Sequence, residues 1–284
     1  MINLGCHSEN FGILSPEDTF SFISRLGFRY IDVASRSLVP QESIIADPKG
    51  RSSFLRELSE ANNLQLDELF LGAVEADGVM LQPAAGDEKL NEKAYRVFNI
   101  ICAFAKLAGF QSVMGAPGSE VPALGYGRSF DNAAEVHKKM IKIAADNGLN
   151  YHVEPSRTSL CNVPQKAIEM VQAAPGLRYT LDFLHYQINA VPQKESMELI
   201  PYAGHMHARQ AKTGIGKCRF EEGEIDYDSI VKRLSELNWA GSIVMEFWNN
   251  PEHTAAGINA VEQNIRMKYE LKCLINKYCG YMPE

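Results

Sequence analysis

At 284 residues, 45% apolar and 22% charged, the chain has the composition of an average soluble globular protein and enough length to bury a sizeable core, which sets aside disordered and fibrous classes. Its formal net charge is −7 and no basic cluster exceeds the pairs Lys138-Lys139 and Lys232-Arg233, so the footprint that nucleic-acid backbones demand is missing and no nucleic-acid partner is expected. The opening MINLGCHSENF has no basic stretch followed by an apolar one, and no apolar run approaches a membrane span, so a cytoplasmic location without a membrane partner is expected.

In chain order, apolar runs predict strands over residues 2–6, 30–33, 65–71, 111–114, 150–154, 178–182, 204–208 and 242–247. Helical stretches alternate with them. The first opens at Ser15-Pro16-Glu17-Asp18, where Ser15 suits the cap, Pro16 the first helical position and Asp18 completes a capping box, and Gly27 closes it. Asn132-x-x-Glu135 predicts another capped start, followed by the stripe Val136, Met140, Ile143 and Ala144 and a stop at Gly148. Ile230, Leu234 and Leu237 repeat this ahead of Gly241. A last helix is expected over about residues 255–278, with Ile258, Val261, Ile265, Tyr269 and Leu271 facing the barrel or a second copy, which leaves a homo-oligomer open.

Eight strand–helix pairs in strict alternation call for a parallel sheet, and the length matches a (β/α)8 TIM barrel, an α/β fold of typically about 250 residues. No linker or composition change interrupts the pattern, so a single domain over residues 1–284 is expected. Two connections are long, 72–87 and 209–225. Both follow strands and so fall on the C-terminal face, where barrels build their sites. Six scattered cysteines without a CxxC spacing read as reduced thiols, with Cys161 and Cys218 as small filler residues.

Four segments in the second half end an apolar run on a metal-competent side chain: YHVEPS (Glu154), YTLDFLH (Asp182 and His185), HMHARQ (His207) and IVMEFW (Glu246). Strand alternation puts residues i and i+2 on one face, so Glu154, Asp182, His207 and Glu246 would converge at the barrel mouth, with His205 below them as a core histidine. Any one of these acids alone reads equally well as a helix cap or a surface ion pair. Three carboxylates together would repel, and one divalent cation resolves this; the oxygen-rich set without thiolate favours Mn, Co or Mg over Zn, which stays an alternative.

The motifs VEP at Glu154, LDxxH at Asp182–His185, GHxHxR at Gly204–Arg209, EGEIDY at Glu222–Tyr227 and VMEF at Val244–Phe247 give the chain a resemblance to the xylose isomerase-like TIM barrels, among them sugar isomerases, ketose 3-epimerases, inosose dehydratase and an endonuclease IV branch. The resemblance implies a metal on Glu154, Asp182, His207 and Glu246, a substrate-contacting His185, and Arg209 as a second substrate contact, although the epimerase arginine usually lies farther from the metal histidine. It implies a small-molecule sugar or cyclitol substrate and an isomerase/epimerase in which Glu154 and Glu246 exchange a proton next to a carbonyl. Elimination by a lyase or dehydratase uses the same start, and a non-catalytic sugar-binding subunit is the alternative of a different class. The acidic charge and small ligand set speak against the endonuclease branch. His7, Arg157 and Trp248 are further candidates for substrate contact, each also readable as a capping, loop or packing residue.

Overall fold

The computed structural model describes residues 1–12, 14–216, 218–249 and 251–283, apart from the side chain of Glu252. Eight parallel strands close into a barrel in chain order: β1 (Ile2–His7), β2 (Tyr30–Ala34), β3 (Gln65–Gly72), β4 (Ser112–Gly115), β5 (Asn150–Val153), β6 (Arg178–Asp182), β7 (Ala203–Ala208) and β8 (Gly241–Met245). β1 pairs with β8 from Ile2 opposite Gly241 to Cys6 opposite Met245, so the sheet has no free edge. The principal helices around it are α1 (Pro16–Arg25), α2 (Pro48–Ala61), α3 (Glu88–Ala108), α4 (Gly125–Asp146), α5 (Pro164–Ala173), α6 (Phe183–Ile188), α7 (Tyr227–Glu236) and α8 (Ala260–Cys279). This is the expected (β/α)8 fold. Among the described residues no helix is long and apolar enough to cross a membrane.

The strands read as apolar runs because both of their faces are covered: Ile2, Leu4, Ile31, Val33, Leu69, Val113, Val153, Leu181, Ile243 and Val244 are all buried. Between barrel and helices, Phe20, Phe28, Phe98, Phe104 and Phe110 are buried, and truncating one such ring typically costs about 3–5 kcal/mol. Ser15 caps α1 as expected, its hydroxyl accepting the Asp18 N–H at 3.0 Å.

Two expectations are corrected. Asn132 does not cap a helix. It lies inside α4, which begins at Gly125, and its amide donates to the Ala84 carbonyl at 3.0 Å, so a tertiary contact uses the group that local capping would have used. The last helix begins at Ala260 after a separate turn of helix at Pro251–Ala255, and its buried face runs through Ala260, Gln263, Asn264, Met267, Leu271, Leu274 and Ile275, leaving Tyr269 71% exposed. The connection from β6 to β7 holds short helical pieces, α6 and Gln193–Ser196 followed by a 3-10 stretch Met197–Tyr202, because Pro192 and Pro201 interrupt a longer one.

The loop after β3 folds into a small hairpin, Glu75–Ala76 against Val79–Met80, turning on Asp77 (φ 54°) and Gly78 (φ 75°).

Candidate active site

The barrel interior is apolar at its periphery and charged along its axis. β7 presents His205 and His207 inward, two residues apart on one face. His205 Nε2 lies 2.8 Å from the Asp32 carboxylate of β2, whose other oxygen accepts the Glu68 backbone N–H at 3.1 Å. Glu68 of β3 in turn binds His152 Nδ1 at 2.5 Å and accepts the hydroxyls of Ser112 at 2.7 Å and Thr180 at 2.5 Å. All of these side chains are buried. Burial alone would strip His205 of its proton, but the charges of Asp32 and Glu68 outweigh it and push its pKa up to about 9. Room for the layer comes from Gly204, where an added Cβ would stand 2.4 Å from His152 Nε2.

Above this layer the strand ends bring the expected site residues together. Glu154 follows the last residue of β5, and its N–H still pairs with Gly115 O at 3.3 Å; Glu246 follows β8 in the same way, on Ala208 O at 3.1 Å. His207 Nδ1 faces both, 2.8 Å from Glu154 and 3.5 Å from Glu246. Its Nε2 faces Asp32 at 3.4 Å without hydrogen-bond geometry. Asp182 ends β6, caps α6 by accepting the Leu184 N–H at 2.8 Å, and gives its second oxygen to Arg209, whose Nε and Nη2 lie 2.9 and 2.8 Å away. The same guanidinium reaches Glu246 at 3.0 Å.

The four expected ligands therefore form two overlapping groups. Glu154, His207 and Glu246 offer one ligand atom each within 4.8 Å of one another, and Glu154, Asp182 and His185 do likewise. Arg209 spans Asp182 and Glu246, one from each group.

The donor set fits a divalent cation. A neutral imidazole has one proton to give, yet His207 has carboxylates on both edges, so this ring must either carry two protons or share one edge with a cation. Without an ion, Glu246, Asp32 and Glu154 overcome the burial penalty and hold the ring well above its ordinary pKa. Both ring nitrogens of His185 are buried without a hydrogen-bond partner, atoms that coordination or substrate would satisfy, and Glu246 Oε2 has the Arg209 charge 3.0 Å away but no hydrogen bond of good geometry. The two glutamates differ: burial pushes Glu246 up to about 7, whereas at Glu154 the hydrogen bond and charge of His207 override burial and pull it down to about 2.

The remaining candidates surround this cluster. His7 is buried at the end of β1, accepts the Glu9 N–H on Nδ1 at 3.2 Å, and sets its ring 5.8 Å from that of His207; its Nε2 has no partner. Burial lowers its pKa to about 4, so it is a neutral ring. Trp248 lies between two guanidiniums, those of Arg36 at 5.5 Å and Arg209 at 5.6 Å. Arg157, His185, Arg209 and Trp248 share a cleft of about 530 Å³ at the mouth. Cys161 and Cys218 are buried, and burial raises their thiols to about 12 and about 11, which makes them inert packing.

Asp32, Glu68 and Tyr227 lay outside the expected site. The first two had a signal, an acid interrupting an apolar strand in YIDVA and QLDELFLG. Tyr227 had a weaker one within EGEIDY; its hydroxyl accepts the Arg209 N–H at 3.1 Å and donates to the Arg209 carbonyl at 2.8 Å, fixing the backbone from which the guanidinium projects.

A family model described as xylose isomerase-like TIM barrel matches residues 20–266. Among solved structures, a D-allulose 3-epimerase from Methylomonas sp. is 17% identical, with 96% of this chain and 98% of that one covered at a TM-score of 0.75. A D-psicose 3-epimerase solved in the presence of D-fructose is 14% identical, covering 98% and 100%, at 0.76. A probable 3-DHS dehydratase, AsbF, of petrobactin synthesis in Bacillus anthracis is 14% identical, covering 94% and 98%, at 0.69. At these identities the likeness is one of fold.

Proposed function

The chain belongs to the xylose isomerase-like TIM barrel family, and on that premise we propose that it is a divalent-metal-dependent isomerase or epimerase of a small sugar or cyclitol, moving a proton on a carbon next to a carbonyl. One observation carries this reading: two carboxylates, half-buried Glu154 and buried Glu246, approach the same His207 nitrogen, Glu246 from the neighbouring strand β8 and Glu154 from β5 two strands away on the other side, at the carboxyl ends of the barrel. That arrangement places two proton-accepting groups around one point. Barrel enzymes hold substrates at this face.

Glu154, His207 and Glu246 would hold the cation, with Asp182 joining when Arg209 releases it. Bound there, a divalent cation would supply a Lewis acid for a substrate hydroxyl and its neighbouring carbonyl oxygen. Glu154, kept ionised by His207, is the base that takes the proton. Glu246, once it carries a proton, would return one from the opposite side. His185, with both ring nitrogens free, donates to or accepts from a substrate hydroxyl. His7, Phe70 and Trp248 close the pocket against water, since Phe70 stacks 6.0 Å from the His207 ring and His7 stands edge-on to Phe70 at 4.9 Å.

Solvent exchange tests this directly. In D2O, proton NMR on a panel of ketoses and inososes should show deuterium entering one carbon next to the carbonyl, with kcat lowered by roughly 10²–10⁴ in Glu154→Gln and in Glu246→Gln. Exchange that persists in both variants refutes the assignment.

Elimination is the second reading, favoured by His185. A ring with two unengaged nitrogens beside Asp182 and Glu154 is placed to protonate a departing oxygen. A conjugated product absorbing in the near ultraviolet, in place of an epimer, would mark it.

A further inference from the structure

We propose that the substrate carries an anionic substituent, a carboxylate or a phosphate, which Arg157 binds at the outer wall of the cleft; this rests on the isomerase, epimerase or lyase reading of the same site and narrows its substrate class. The cleft of about 530 Å³ is lined by Arg157, His185, Arg209, Trp248 and His253 together with aliphatic side chains and the glycine loop at Gly214, and no carboxylate stands among its described lining residues. In a chain whose net charge is −7, so one-sided a wall is a local departure from composition.

Its positive groups divide by what they already hold. Arg209 is committed inward, to Asp182 and Glu246. Arg157 is exposed, and its guanidinium makes no ion pair or hydrogen bond among the described residues; only its backbone carbonyl is engaged, by Asn189 at 3.2 Å. Trp248 Nε1, which can only donate, and both ring nitrogens of His185 are shielded from water without partners.

A neutral His185 brings one donor and one acceptor, but Trp248 Nε1 and the Arg157 guanidinium can only donate, so the demand this wall leaves unmet is for acceptors and negative charge. A sugar hydroxyl both donates and accepts, and a neutral ketose would be matched by a mixture of donors and carboxylates. A carboxylate or phosphate only accepts, and a planar guanidinium meets it with two parallel hydrogen bonds. Gly214, with φ +75° and nothing within 4 Å of where its Cβ would stand, leaves that end of the cleft open to a group larger than a hydroxyl. The carboxylate cluster at the floor then faces the reacting carbons while the anion lies at the rim, so the two ends of the cleft fix the substrate's direction.

The test measures binding to the Mg-loaded protein by tryptophan fluorescence, using D-fructose, D-fructose 6-phosphate and 2-keto-D-gluconate, with inorganic phosphate and acetate as competitors. At least one anionic ketose should bind about tenfold or more tightly than D-fructose. The matching simple anion should compete with it. Arg157→Gln should bring the preference to within about threefold, and Arg157→Lys should keep part of it. Preference for the phosphate ester with competition by phosphate assigns a phosphate, and the reverse pattern assigns a carboxylate. Equal affinities for neutral and anionic ligands, no competition by either simple anion, or a preference that survives Arg157→Gln overturns the proposal. An Arg157-dependent preference without deuterium exchange or elimination in any ligand would leave this inference standing and remove the proposed reaction.

Discussion

Asp32 is the residue through which the buried layer acts on the candidate metal site, and Asp32→Asn isolates that action. Its carboxylate lies 2.8 Å from His205 Nε2 and 3.4 Å from His207 Nε2, fully buried, while Oδ1 holds the Glu68 N–H. The amide keeps the side chain's volume and an oxygen for Glu68 but removes the negative charge behind His207. In metal sites the carboxylate behind a ligating histidine fixes its ring and raises its basicity, and losing it costs about 10- to 100-fold in affinity, or about 1.4–2.7 kcal/mol. Because the 3.4 Å approach lacks hydrogen-bond geometry, the effect runs through charge and the lower half of that range is expected. Competition between the protein and a fluorescent chelator for Mn or Co gives the dissociation constants. Circular dichroism confirms that the barrel is intact. Affinities within twofold of each other in a folded variant would refute the argument that the buried layer tunes His207.

Two further outcomes follow from buried groups elsewhere. His137, fully buried with Nε2 3.2 Å from the Pro117 carbonyl, has its pKa lowered by burial to about 4, so between pH 6.5 and 4 the unfolded chain binds the proton and the folded one does not. Stability is therefore constant with respect to this group above pH 6.5 and falls by up to about 3 kcal/mol as pH drops toward 4; urea midpoints should show a shallower acid limb in His137→Gln, and parallel limbs would contradict it. Gly204→Ala should destabilise the barrel by about 1–3 kcal/mol, since its Cβ would stand 2.4 Å from His152 Nε2 and must displace that ring from Glu68; an unchanged melting temperature would show that the layer yields freely.

The sequence made the barrel legible for a physical reason. Parallel strands buried on both faces appear as unbroken apolar runs, and each expected strand lies within about two residues of an observed one at either end. What fails is local capping logic wherever a long-range partner competes, as at Asn132, whose amide serves the loop after β3. Tyr269 falls off the barrel-facing side, because the helix starts at Asn259's cap and its inner face is set partly by polar Gln263 and Asn264, which a hydrophobic stripe overlooks. Asn264 holds Phe247 and Asn10 in place, with its amide on the Phe247 carbonyl at 2.9 Å and its carbonyl oxygen accepting from Asn10 at 3.0 Å.

Of the site, the strand-end residues were readable because chain position alone sends them to the mouth. Arg209 was not. Whether an arginine two residues past a histidine points to solvent, to substrate or across two acids depends on side-chain reach and on the Tyr227 clamp, neither of which leaves a mark in composition or period.

Charge explains why the arginine belongs in that cluster. With all three carboxylates ionised and His207 neutral, the states coordination would require, Glu154, Asp182 and Glu246 contribute three negative charges and Arg209 one positive, so the group lacks two positive charges, the amount a divalent ion would bring. A monovalent ion would leave buried charge uncompensated. Buried ion networks of this kind are weak devices for stability, since well-packed apolar side chains often match or exceed them. Their retention along the axis of a barrel that is otherwise filled with Ile, Leu and Val therefore reads as a cost borne for the site they support. On this argument Arg209 would set the charge left for an ion to balance, whereas Asp32 would tune His207 as its ligand.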